Sequence, residues 1–93
     1  MLLAIDVGNT KIACGIFEGN KLKSDLSIAT SIHRSPDEYA ALLFNLLPHH
    51  KVAKEDITEA IMCSVVPPLV SVFEDLCRNY LGITMLVVAL TRA

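Results

Sequence analysis

Two strand-like runs, Leu2–Val7 and Lys11–Phe17, are separated by only Gly8-Asn9-Thr10. Three residues cannot return a chain for parallel pairing, which needs a crossover of a dozen or more residues. The runs are therefore expected to be antiparallel neighbours joined by a tight turn. Glu18-Gly19-Asn20-Lys21 supplies a second turn. In the strand that follows, Leu22, Leu26, Ile28 and Thr30 are expected on one face and Lys23, Asp25 and Ser27 on the other, wet face. Gly15, inside the second run, marks a bulge or a close backbone approach.

The hydrophobic period then changes. Ser35-Pro36-Asp37-Glu38 is a capping box with proline at the first helical position and two acids at the positive end of the helix dipole. Tyr39, Leu42, Leu43, Leu46 and Leu47 recur at helical spacing, and Pro48 is expected to end the helix. Residues 49–59 read as polar and irregular. Ala60–Val66 is short and apolar throughout, as a central parallel strand should be. Pro67-Pro68 opens a second helix with Leu69, Val72, Phe73, Leu76, Cys77, Tyr80 and Leu81 on one stripe and Gly82 at its stop. Thr84–Leu90 is expected as a fifth strand. The order β-β-β-α-β-α-β predicts an α/β fold, a mixed five-stranded sheet with helices packed on it, as in ribonuclease H.

A chain of 93 residues is one domain at most. A domain so small leaves much of its surface in water, yet 53% of its residues are hydrophobic and only 19% charged. Some of that apolar surface is expected to meet another chain or a further part of the same protein. No apolar run reaches the roughly 18 residues that cross a bilayer, and Asp6 interrupts the N-terminal run too early for a signal peptide. The expected location is the cytoplasm, with no membrane partner. A net charge of -2 and scattered lysines offer no basic stripe for nucleic acid. Cys14, Cys63 and Cys77 lie far apart in apolar stretches and are expected to be buried reduced thiols. His49 and His50 are expected in a solvated loop rather than at a metal.

The chemistry concentrates in Asp6-Val7-Gly8-Asn9-Thr10-Lys11. Gly8 removes a Cβ that would keep a phosphate off the backbone and permits a positive φ. Successive N–H groups in such a turn make a concave anion site. Thr10 adds a hydroxyl, Asn9 an amide and Lys11 a positive charge. Asp6, at the end of the first strand, would repel the same phosphates unless a hydrated Mg²⁺ stood between them, an ion that keeps waters and takes one or two carboxylates. The bland alternative is a plain hairpin with a solvent-facing aspartate.

Asp6-x-Gly8-Asn9-Thr10 resembles the first phosphate motif of the superfamily of actin, the 70-kDa heat-shock chaperones, hexokinases and acetate kinase. Its asparagine, with Cys63-Ser64-Val65-Val66-Pro67-Pro68-Leu69 resembling an S-S-V-V-P stretch, is similar to type III pantothenate kinase. Cys63 stands where that family has serine. The resemblance implies ATP-dependent phosphorylation of pantothenate to 4′-phosphopantothenate, the first step towards coenzyme A. It also implies a cytoplasmic homodimer needing Mg²⁺ and a monovalent cation, K⁺ or NH₄⁺. Asp6 would then hold the hydrated Mg²⁺ and Val7, Gly8, Asn9, Thr10 and Lys11 the ATP phosphates, while Ser64 to Pro68 would shape a sheet–helix junction. The family's G-x-D-R motif, with the catalytic aspartate, and its second D-x-G-T motif do not occur here. Residues 1–93 are thus expected to be an incomplete N-terminal nucleotide-binding domain, inactive alone. Two other readings fit fewer of these features: a sugar kinase with a D-x-G-G-T motif, or a non-enzymatic regulatory module.

Overall fold

A computed structural model describes residues 1–88. Three antiparallel strands come first: β1 (Leu2–Val7), β2 (Lys11–Glu18) and β3 (Lys21–Ala29). They are followed by α1 (Pro36–Leu46), β4 (Glu59–Ser64), α2 (Pro68–Leu76) and β5 (Leu86–Val88). The sheet order is β3-β2-β1-β4-β5, with β4 parallel to both β1 and β5. This is the expected mixed five-stranded sheet. The expected end of the fifth strand, Ala89–Leu90, lies outside the described residues, and its start is Leu86 rather than Thr84.

Strand order decides where the helices go. The crossover from β3 through α1 to β4 and that from β4 through α2 to β5 join parallel strands and step the same way along the sheet. Right-handed crossovers of that kind place both helices on one face. Leu3, Ile5, Val7, Ile12, Cys14, Ile16, Ile28, Ala60 and Met62 point to that face and are buried. Against them pack Tyr39, Ala40 and Leu43 of α1 and Leu69, Phe73 and Leu76 of α2. The Tyr39 and Phe73 rings meet with centroids 4.9 Å apart and join the two helices. Burial pushes the Cys14 thiol up to about 12 and the Cys77 thiol to about 11, so both stay protonated.

The opposite face carries no helix among the described residues. The pleat sends Ala4, Ala13, Gly15, Phe17, Ile61, Cys63 and Val88 to it, and they line an apolar trough of about 560 Å³. Cys63 is accordingly half-buried, not buried as expected. Leu22 also lies in this trough, against the expectation from simple alternation. A register shift at Ile16/Phe17 pairs Ser24 with Ile16 but Leu22 with Phe17, so the extra residue Lys23 flips the end of β3. A Cβ on Gly15 would stand 3.1 Å from Phe17 Cε2 and 3.4 Å from Leu22 Cδ1, so a larger residue there would crowd both side chains beside the bulge.

The helix ends hold one surprise. The capping box forms, with Glu38 N–H donating to Ser35 Oγ at 3.2 Å and Ser35 N–H to Glu38 Oε1 at 3.0 Å. Pro48 follows the end of the α-helix at Leu46, as expected, though helical turning continues past it. It sits inside a 3₁₀ turn, Leu47–His50, where its missing N–H costs nothing, and Lys51 at φ 58 terminates the run. Leu42 faces outward and Ala40 takes its place in the core. Residues 49–59 contain a second 3₁₀ turn, Lys54–Asp56, and are pinned by buried Val52 and Ile57. His50 Nδ1 pairs with Ser24 Oγ at 2.5 Å. Gly82 ends the second helical run in the left-handed conformation, φ 65, as its position implied.

Candidate functional site at the β1–β2 turn

The turn between β1 and β2 lies at the carboxyl end of β1, beside that of β4. Val65 N–H donates to the Val7 carbonyl at 3.0 Å, locking the two strand ends together. Ser64 Oγ accepts from Val66 N–H at 3.0 Å and donates to the Val66 carbonyl at 3.1 Å. That local loop closes β4 at Ser64, two residues before the expected Val66, and turns the chain into α2. Val7 itself is wholly buried, with its carbonyl taken, so it supports the turn from below.

Gly8 N–H donates to the Lys11 carbonyl at 3.0 Å, and this donor is therefore spent. The φ of Gly8 is not positive. Its glycine identity has a different cause: a Cβ there would lie 3.1 Å from the Lys11 carbonyl oxygen, the atom its own N–H must reach. A two-residue hairpin ordinarily closes with a second bond, here from Lys11 N–H back to the Gly8 carbonyl. That bond is not made, and Asn9 and Thr10 form an open bend. The Gly8 carbonyl instead accepts from Thr30 Oγ1 at 2.8 Å, and the Thr10 carbonyl from Thr30 N–H at 3.0 Å.

The consequence is a set of free donors. Among the described residues the N–H groups of Asn9 and Thr10 have no acceptor, and the Asn9, Thr10 and Lys11 side chains make no hydrogen bond. All three residues are exposed. Asp6 is exposed too, and by the pleat it points to the uncovered face, at the rim of the apolar trough. The structure thus brings Asp6, Asn9, Thr10 and Lys11 to one strand end, with Gly8 shaping the turn and Val7 beneath it. One carboxylate suits a hydrated divalent ion that takes its other ligands from waters and phosphate oxygens. Among the described residues no group of three or more His, Cys, Asp or Glu could hold a metal by itself. Thr30 is the residue that sequence reasoning missed, since in the pattern it is only the last polar position of an alternating strand.

A family model described as type III pantothenate kinase matches residues 2–93. A type III pantothenate kinase of Dehalococcoides mccartyi (strain ATCC BAA-2266) is 45% identical over 87 residues, which cover 94% of this chain and 34% of the relative. One of Agathobacter rectalis is 42% identical over 88 residues, 95% of this chain and 34% of that protein. The chain spans about a third of the length of these curated relatives. Among solved structures, the ROK hexokinase of Thermus thermophilus superposes with a TM-score of 0.65 at 16% identity, over 94% of this chain and 34% of that one. A Ppx/GppA family member from Aquifex aeolicus gives 0.50 at 16% identity over the same shares. These two likenesses concern the fold alone.

Proposed function

The chain belongs to the type III pantothenate kinase family, and from that premise we propose that the whole protein transfers a phosphoryl group from ATP to pantothenate, giving 4′-phosphopantothenate for coenzyme A synthesis. The observation that carries the reading is the open turn, where unpaired amide donors, a hydroxyl, a lysine and a carboxylate converge at one strand end. Phosphoryl transfer asks little covalent chemistry of a protein and much positioning and charge stabilisation. The Asn9 and Thr10 amides and the Thr10 hydroxyl are the donors that hold phosphate oxygens, and Lys11 supplies positive charge beside them. Asp6 is the residue that would hold a hydrated Mg²⁺, which when bound neutralises charge on the transferring group. The second phosphate loop, the acceptor base and the ligands of a monovalent cation, K⁺ or NH₄⁺, come from the remainder of the protein. The working unit is a cytoplasmic homodimer whose partners are pantothenate and ATP, with no role for nucleic acid or membrane.

Asp6→Asn in the whole protein tests this directly, because it keeps shape and removes only charge. The expected result is a fall in kcat of roughly 10²-fold or more with a much smaller change in apparent ATP affinity. A well-folded Asp6→Asn enzyme with near-normal kcat would leave the carboxylate as mere architecture.

A further inference from the structure

We infer that Thr30, 20 residues beyond the turn, is a positioning residue that holds the phosphate turn open. The inference rests on the nucleotide-binding reading of that turn. The mechanism follows from peptide geometry. In a planar trans peptide the C=O and the following N–H point in opposite directions. Thr30 Oγ1–H holds the Gly8 carbonyl at 2.8 Å, which aims the N–H of Asn9 away from β3 and outward. Thr30 N–H holds the Thr10 carbonyl at 3.0 Å, which points the N–H of Lys11 away from β3, towards the Gly8 side of the turn. The hydroxyl also occupies the acceptor that Lys11 N–H would otherwise use to close the hairpin. One side chain thereby keeps donors of the turn unspent.

The clamp is itself anchored. The next residue, Ser31, donates its N–H to Tyr39 Oη at 2.9 Å and accepts from that hydroxyl at its carbonyl, 2.7 Å away. Tyr39 is fully buried against Phe73, and Arg34 lies 5.5 Å over its ring while donating to the Ala29 carbonyl at 2.5 Å. The route from turn to core is therefore short: Gly8 to Thr30, Ser31 and the α1 tyrosine. A rigid clamp of this kind matters because a loop that must reorganise to bind loses affinity to the ordering cost.

The test uses the whole protein and the pair Thr30→Val and Thr30→Ser. Valine keeps shape and the backbone bond but loses the hydroxyl; serine keeps the hydroxyl. Binding of Mg²⁺-ATP is measured by calorimetry, exchange of the Lys11 amide by NMR, and kinetics with ATP and pantothenate varied separately. Thr30→Val is expected to weaken ATP binding roughly 10-fold, to slow Lys11 amide exchange as the freed Gly8 carbonyl closes the hairpin, and to leave KM for pantothenate unchanged. Thr30→Ser should stay within about twofold of the wild type. Equal ATP affinity in the valine variant, or equal losses in both variants, overturns the inference. If the wild type binds ATP and the valine variant does not, while pantothenate is never phosphorylated, the substrate reading fails and the role of Thr30 stands. A wild type that binds no ATP overturns both.

Discussion

Replacing Tyr39 by phenylalanine separates packing from hydrogen bonding at the junction of core and turn. The ring is fully buried and would remain against Phe73, so the apolar burial is unchanged. What goes is the hydroxyl, and with it the bond from Ser31 N–H and the bond to the Ser31 carbonyl. Each is worth about 1 kcal/mol net, so the expected loss is about 2 kcal/mol. Ser31 is half-buried, which lets water take part of the orphaned pairing and keeps the loss from running higher. The local readout is amide exchange in the whole protein, followed by NMR. At about 1.4 kcal/mol per factor of ten, exchange of the Ser31 amide should quicken roughly 30-fold, while amides in the middle of β1 and β4 change far less. Affinity for ATP should fall as the Thr30 clamp loosens. An unchanged Ser31 exchange rate, with α1 intact, would refute the claim that this hydroxyl ties the end of β3 to the core.

Two further outcomes follow from the sheet faces. In the 93-residue chain only Cys63 should react quickly with a thiol reagent at neutral pH, since Cys14 and Cys77 are buried and their thiols pushed up to about 12 and about 11; three equally fast thiols would contradict the packing. The unfolded thiols ionise near the ordinary 9.0 while the folded ones keep their protons, so their contribution to stability is complete below about pH 9 and is lost as pH rises towards 11 and 12. The isolated chain should also self-associate through the uncovered face, where Leu22, Leu86 and Val88 are exposed. Sedimentation should show Leu22→Lys with Leu86→Lys restoring a monomer, and a wild-type chain that stays monomeric at high concentration would count against an adhesive face.

The fold was legible because its strongest signals are local. The three-residue link between the first two runs forces antiparallel pairing, and the capping box and Gly82 mark their helix ends as the backbone does. Legibility failed where one residue changes what its neighbours can do. Lys23 is an added residue in β3, and no alternation pattern reveals which partner strand lacks its counterpart; the cost of missing it was to place Leu22 on the wrong face. Pro48 marks the end of the α-helix, which stops at Leu46, but not the 3₁₀ turn beyond it, whose first residues do not need the N–H that proline lacks. Leu42 and Ala40 exchanged roles because the buried stripe, through Tyr39, Ala40, Leu43 and Leu47, is rotated from the apolar stripe in the sequence.

At the turn the division is sharper. Asp6 stood out because an acid inside a run of apolar strand residues calls for an explanation, and the pleat then determines its direction: one residue either side, Ile5 and Val7, enters the core, so Asp6 must face away from the helices. Gly8 was legible as a glycine position, but the positive φ expected of it is not adopted, since both a left-handed turn and a close carbonyl demand the same residue type. Thr30 had no such signature. Its partners are main-chain carbonyls, which every residue has, and they lie 20 and 22 residues away. A bond from a side chain to a distant carbonyl constrains only the donor, and a threonine at a strand end fits the alternation with Leu26 and Ile28 without any such bond. What marks Thr30 in the structure is the hairpin's missing second bond, whose acceptor, the Gly8 carbonyl, its hydroxyl has taken.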